Sequence, residues 1–164
     1  SQTLPMLDEL KVHYANRLHI FVYDTKTLNI AEGALAYEAK VLIEQGESFE
    51  NVAKKLDDLR RRSEFLFTLS DLDYIIRNKK LSAPAAFVAN LFDIKPIMQI
   101  NQIGEIIAVE KVRKLEKTLT TMGKTVEKLA ANQPAFIYLT DTGHHESTEY
   151  FKKILATHFA FWLA

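Results

Sequence analysis

Leu69 to Lys114 reads LSDLDYIIRNKKLSAPAAFVANLFDIKPIMQINQIGEIIAVEKVRK, and the fold turns on how this stretch is divided. Ser70 followed three residues later by Asp73 forms a capping box for a helix reaching Arg77, after which Asn78-Lys79-Lys80 makes a basic loop. Ser82 is a second N-cap, because its hydroxyl can accept a hydrogen bond from a free backbone N–H. Pro84 is tolerated in the first turn, so Ser82 to Phe92 is expected to be a short helix. The periodicity then changes. Ile94 to Ile100 and Glu105 to Val109 are apolar, β-branched runs joined by Asn101-Gln102-Ile103-Gly104, a polar turn whose glycine is free to take positive φ. The unit is helix, strand, turn, strand, helix.

Outward from this centre the same signals continue. Leu7, Leu10 and Tyr14 give Leu4 to Tyr14 a helical spacing, and Ile20, Phe21 and Val22 make Leu18 to Tyr23 a strand with a buried-looking run. Ile30 to Gln45 is a helix stopped at Gly46; Ser48 caps another with Phe49, Val52, Ala53, Leu56 and Leu59 on one face. Ser63 to Leu69 is expected to be a strand. Lys114 to Leu129 is a charged amphipathic helix, Ala135 to Thr140 a strand and Glu146 to Leu155 a helix. Strands alternating with helices indicate an α/β layered domain.

Composition narrows the function classes. The 164 residues suffice for one domain with a real core or for part of a two-domain protein, and 48% of them are apolar. Lys plus Arg is 21 and Asp plus Glu is 21, so no net field draws the chain to nucleic acid or to an anionic membrane. The absence of cysteine excludes disulfides, thiolate catalysis and cysteine-based zinc sites. No apolar run approaches the roughly 20 residues that span a bilayer, and the expected location is the cytoplasm.

Several charged groups have ordinary structural readings. Arg60, Arg61 and Arg62 follow Asp57 and Asp58, so Asp57 with Arg61 and Asp58 with Arg62 form i,i+4 pairs on a solvated helix face near a C-terminus that favours positive charge. Asp71 and Asp73 are two apart and suit capping better than acid–base chemistry. His144 and His145 lie near Asp141 and Glu146, but adjacent residues point apart on a helix and no HExxH spacing exists, so no metal site is expected. There is no nucleophile elbow, Walker loop or GxGxxG, and no cofactor is implied. Read from the residues alone, the chain could still be a ligand-free interaction module, or a small hydrolase using His158 or the His144/His145 pair.

Tyr23-Asp24-Thr25-Lys26-Thr27 running to Gly33, Leu72-Asp73-Tyr74, Asp93-Ile94-Lys95-Pro96-Ile97, and Gly104-Glu105-Ile106 leading to Lys111-Val112-Arg113 occur here in one order. Together they are similar to the C-terminal part of the DegV family of bacterial fatty-acid-binding proteins, across roughly Tyr23 to Leu129. A fifth piece, Ala156-Thr157-His158, resembles the family's Gly-Thr-His segment, without the glycine-rich turn that should follow. The resemblance implies that 1–47 is the end of an N-terminal lipid-binding domain and 48–164 a C-terminal DegV-like domain carrying the basic loop and hairpin. Against that family the N-terminal sheet and a segment between Leu155 and Ala156 are missing, so the chain is either a truncated and rearranged relative or part of a longer protein. The apolar Phe159-Ala160-Phe161-Trp162-Leu163 end, which something should cover, favours the second.

What the resemblance implies for function is a non-catalytic carrier. It binds a long-chain fatty acid and presents the carboxylate to a partner ATP-dependent fatty acid kinase, which makes acyl phosphate for phospholipid synthesis. Burying the tail contributes about 0.8 kcal/mol per methylene, on the order of 10 kcal/mol for an ordinary chain, provided nearly all of it leaves water. The carboxylate needs charged or hydroxyl donors. Phe87, Val88, Leu91, Phe92, Ile94 and Met98 are the expected tunnel lining, and Lys80, Ser82, Thr157 and His158 the expected polar mouth. Lys80 stands where the family commonly has arginine; it keeps the charge and loses the planar fork. Arg113 is the expected contact to the kinase.

Overall fold

Ser48 and Gly46 show how locally the chain is instructed. In the computed structural model, which describes residues 3–82, 94–131 and 133–159, α2 (Asn29–Glu44) ends at Gln45, and Gly46 follows at φ +85° with its N–H on the Ile43 carbonyl. Ser48 then accepts from the Asn51 N–H at 3.3 Å to start α3 (Phe49–Arg62). Leu35 and Leu42 of α2 meet Val52 and Leu56 of α3 in one buried cluster, with Ala39, Leu59 and Tyr23 packed on it. That shared core makes Ser1–Ser63 one compact unit and Glu64–Ala164 another. The division between these compact units falls after α3.

The remainder of the first unit departs from expectation. α1 (Thr3–His13) forms as its spacing predicts but buries no residue, and Val12 is 77% exposed. Leu18 to Tyr23 is not a strand: Leu18 and Phe21 are exposed, and the rings of His19 and Phe21 rest on Phe49 at 4.9 and 5.8 Å. A β-branched run becomes a strand only where a neighbour completes its ladder, and no strand lies among the described residues of this unit.

The second unit is built on a three-stranded antiparallel sheet, β1 (Leu66–Phe67), β2 (Ile97–Ile100) and β3 (Ile106–Glu110), in that order. The hairpin is the expected one. Ile100 pairs with Ile106, the Asn101 side-chain oxygen accepts from the N–H groups of Ile103 and Glu105 at 3.1 and 2.9 Å, and Gly104 takes φ +87°. β2 starts at Ile97 rather than Ile94 because Pro96 has no N–H to give a ladder; Ile94 makes only an isolated bridge to Arg113. β1 is likewise shorter than the expected Ser63 to Leu69.

Alternation along the strands divides the core in two. Leu66 and Ile97 join Leu119, Met122, Phe151 and Leu155, the buried faces of α5 (Leu115–Ala130) and α6 (His145–His158). Phe67, Met98 and Ile106 face the other way, onto Leu72, Ile75 and Leu81 around α4 (Asp73–Arg77). α5 and α6 meet closely at Gly123, where a Cβ would stand 2.6 Å from Ile154 Cγ2. Residues 135–140 are not a strand. Ile137 and Leu139 pack on the α5/α6 cluster, while Phe136 is 93% exposed; the period-2 alternation is present and the ladder is not. Among the described residues no helix is long and apolar enough to cross a membrane.

Candidate functional site

Lys80 is placed by the end of α4. Lys79 N–H bonds to the Ile76 carbonyl at 3.1 Å and Lys80 N–H to the Ile75 carbonyl at 2.9 Å, a Schellman closure in which Lys79 occupies the left-handed position at φ +50°. At the other end of the helix Ser70 is not the cap. Asp71 accepts the Asp73 N–H at 2.8 Å, because a carboxylate two residues before the helix can close its own turn. Leu81 turns into the core and bridges Ile106 of β3, and Ser82 N–H bonds the Ile106 carbonyl at 2.8 Å. Lys80 and Ser82, one on each side of Leu81, are both exposed and face away from the core that Leu81 enters.

Thr157 and His158 belong to a different part of the unit. α6 continues through them, so the Thr-His pair is the last helical turn. Thr157 Oγ donates to the Ile154 carbonyl at 2.7 Å, and His158 Nδ1 lies 3.0 Å from Glu127 Oε2 on α5. The structure thus pairs Lys80 with Ser82 on the segment covering one face of the sheet, and Thr157 with His158 on the helix covering the other. Of the expected tunnel lining, Phe87, Val88, Leu91 and Phe92 lie outside the described residues. Ile94 is half-buried, and Met98 is fully enclosed in the cluster with Leu72 and Ile75. Two open depressions run along α1, lined by Pro5, Asp8, Val12 and His13 and by Met6, Leu10 and Tyr14. Neither includes an expected site residue.

Arg113 is exposed at a corner that is rigidly held. Thr118, with no solvent exposure, donates its hydroxyl to the carbonyls of Lys95 and Lys114 at 2.8 and 3.1 Å. The Lys95 N–H bonds the Val112 carbonyl at 2.7 Å, and Lys114 sits at φ +68°. A cation presented from such a corner has little backbone freedom to lose on meeting a partner.

Several other charged groups are held by local contacts. Asp57 pairs with Arg60 at 3.7 Å and Asp58 with Arg61, the i,i+3 neighbours, in place of the expected i,i+4 pairs; Arg62 Nε turns to the Asp58 carbonyl at 3.4 Å. Asp57 also accepts from Tyr23 OH at 2.8 Å, and burial, with the Asp57 carboxylate next in weight, raises the Tyr23 pKa. Asp141 uses one oxygen on the N–H groups of Gly143 and His144 and the other on Thr148 Oγ and His145 Nδ1, which organises the start of α6. Those donors, the Gly143 N–H first, lower its pKa. The residues that sequence reasoning passed over are Gly123 and Glu127. A glycine inside an amphipathic helix, one turn before a glutamate, was the available signal of close approach by another element.

Residues 1–160 match the profile of the DegV family, described as uncharacterised proteins. The chain is 32% identical over 140 residues to a fatty acid-binding protein of Thermotoga maritima, covering 82% of this chain and 47% of that one. It is similar to the crystal structure of the fatty acid binding DegV family protein of Streptococcus agalactiae. The TM-score is 0.81 with 26% identity, over 92% of this chain and 53% of that chain. The Streptococcus pneumoniae fatty acid kinase B3 protein, solved loaded with linoleic acid, shares the fold at TM-score 0.73 and 16% identity, over 96% of this chain and 56% of that one. The chain spans about half the length of the curated relatives it matches.

Proposed function

The chain belongs to the DegV family, and from that premise we propose that it is part of a carrier that holds one long-chain fatty acid and presents the carboxylate to a separate ATP-dependent kinase. The observation that carries this reading is the likeness to the Streptococcus agalactiae protein, in fold and in more than a quarter of aligned residues, since that protein binds fatty acid. The kinase partner is taken from the Streptococcus pneumoniae protein, whose fold this chain shares and which is described as a fatty acid kinase protein.

In this reading the chain supplies burial and orientation, and the kinase supplies ATP, metal and base in the cytoplasm. No step of chemistry is assigned to this chain. Phe87, Val88, Leu91, Phe92, Ile94 and Met98 line the acyl tunnel; for Met98 this requires its cluster to open toward the tail. Lys80, Ser82, Thr157 and His158 serve the carboxylate, and Arg113 meets the kinase from its fixed corner. Because the two polar pairs sit on segments covering opposite faces of the sheet, Lys80→Ala and His158→Ala test two placements of the carboxylate.

The experiment is a fluorescence titration with a long-chain fatty acid. The protein saturates, and loss of the charge that holds the carboxylate weakens binding about tenfold. A well-folded protein that takes up no fatty acid would leave the ligand-free interaction module as the better account.

A further inference from the structure

We propose that Glu127 is a positioning residue for His158, holding the imidazole by Nδ1 so that Nε2 is the atom offered to the acyl head group; this rests on the reading that His158 serves the carboxylate. Nδ1 is 3.0 Å from Glu127 Oε2, and the His158 side chain is only 20% exposed. The ring edge carrying Cδ2 and Nε2 passes over Gly123, where a Cβ would stand 3.8 and 3.9 Å from those atoms. Gly123 and Glu127 are one helical turn apart on α5, so a single face provides both the clearance for the ring and the carboxylate that orients it.

The bond at one ring nitrogen decides which nitrogen carries the hydrogen. With Nδ1–H donated to Glu127, neutral His158 leaves Nε2 as an acceptor. A fatty acid arriving as the carboxylic acid gives its O–H hydrogen to Nε2. The O–H bond breaks, the N–H bond forms, and the pair becomes an imidazolium facing a carboxylate, with the Glu127 carboxylate behind it. Charge is conserved and no other reactant is needed. The head group is thereby held ionised at a fixed point, which a freely rotating histidine at a helix end does not achieve.

The test compares Glu127→Ala, Glu127→Gln and His158→Ala with the unaltered protein. It uses fatty acid titration well below the melting transition, together with two-bond 1H–15N spectra of the imidazoles. The expected results are Nδ1–H in the unaltered protein and in Glu127→Gln, whose amide oxygen still accepts, and loss of that signature in Glu127→Ala with affinity about tenfold weaker. A helix-packing role alone leaves the imidazole tautomer unmoved. Unchanged tautomer or unchanged affinity in Glu127→Ala overturns the inference, as does full affinity in His158→Ala, while in each of these cases the carrier reading stands. An unaltered protein that takes up no fatty acid overturns that reading and this inference with it.

Discussion

Among the described residues, the two faces of the sheet in 64–164 are covered unequally. Leu66 and Ile97 lie under α5 and α6, helices of 16 and 14 residues that interlock at Gly123. Among the described residues, Phe67, Met98 and Ile106 lie against a 5-residue helix and the side chains of Leu69, Leu72 and Leu81. The first face is closed by long elements that cannot shift piecemeal, since moving α6 disturbs Phe151, Leu155 and Ile154 together. The second is closed by a turn whose own geometry is costly, with a lysine in the left-handed region. Judged by the described residues, the second face is the easier to disturb, and a group that must stay oriented is better held on the first. Lys80 and His158 sit on opposite sides of that contrast.

The largest effect expected from this contrast separates Leu155 from Leu81. Leu155, 1% exposed, should cost about 3 kcal/mol when cut to alanine, whereas half-buried Leu81 should cost about 1 kcal/mol. Urea unfolding measures both, and equal losses would erase the distinction between the faces. A smaller effect of opposite sign belongs to Lys79. Glycine tolerates φ +50° without a Cβ penalty, so Lys79→Gly should raise stability by about 1 kcal/mol, a gain the same urea curves would reveal. A destabilised variant would mean that the α4 turn is not strained.

The smallest expected effect is a change in acid response on the heavily covered side. Asp141 has its pKa lowered in the folded protein, so its contribution is present above the unfolded value and is lost as pH falls through the folded one. Asp141→Asn should therefore melt lower than the unaltered protein at pH 7 and approach it as the pH drops toward the carboxylate range. A difference in melting temperature that is constant across that range would show that the charge is irrelevant and that only the hydrogen bonds matter.

What could be read from the sequence was whatever a few neighbouring residues decide. Ser48 with Asn51, Gly46, and the Asn101 to Gly104 turn are complete within their own hydrogen bonds, and each formed as its chemistry required. The DegV resemblance was legible for the same reason, as short motifs kept in order. Leu18 to Tyr23 and 135–140 were misread because alternation reports which side of a segment is apolar, not whether a partner strand exists. Asp71 displaced Ser70 as the turn-forming group because both can accept the same kind of donor, and only the backbone path chooses between them. The Glu127 contact was invisible, since 127 and 158 are joined only by the packing of two helices. The candidate mouth was readable as residue types; its division between two faces required the strand register.

The central claim, that this chain carries a fatty acid, is tested most directly by denaturing extraction of the purified, bacterially expressed protein and mass spectrometry of what is released, with protein and lipid quantified together. The account predicts long-chain fatty acid near one equivalent per chain. A clean extract from folded protein that also fails to take up added fatty acid would contradict it.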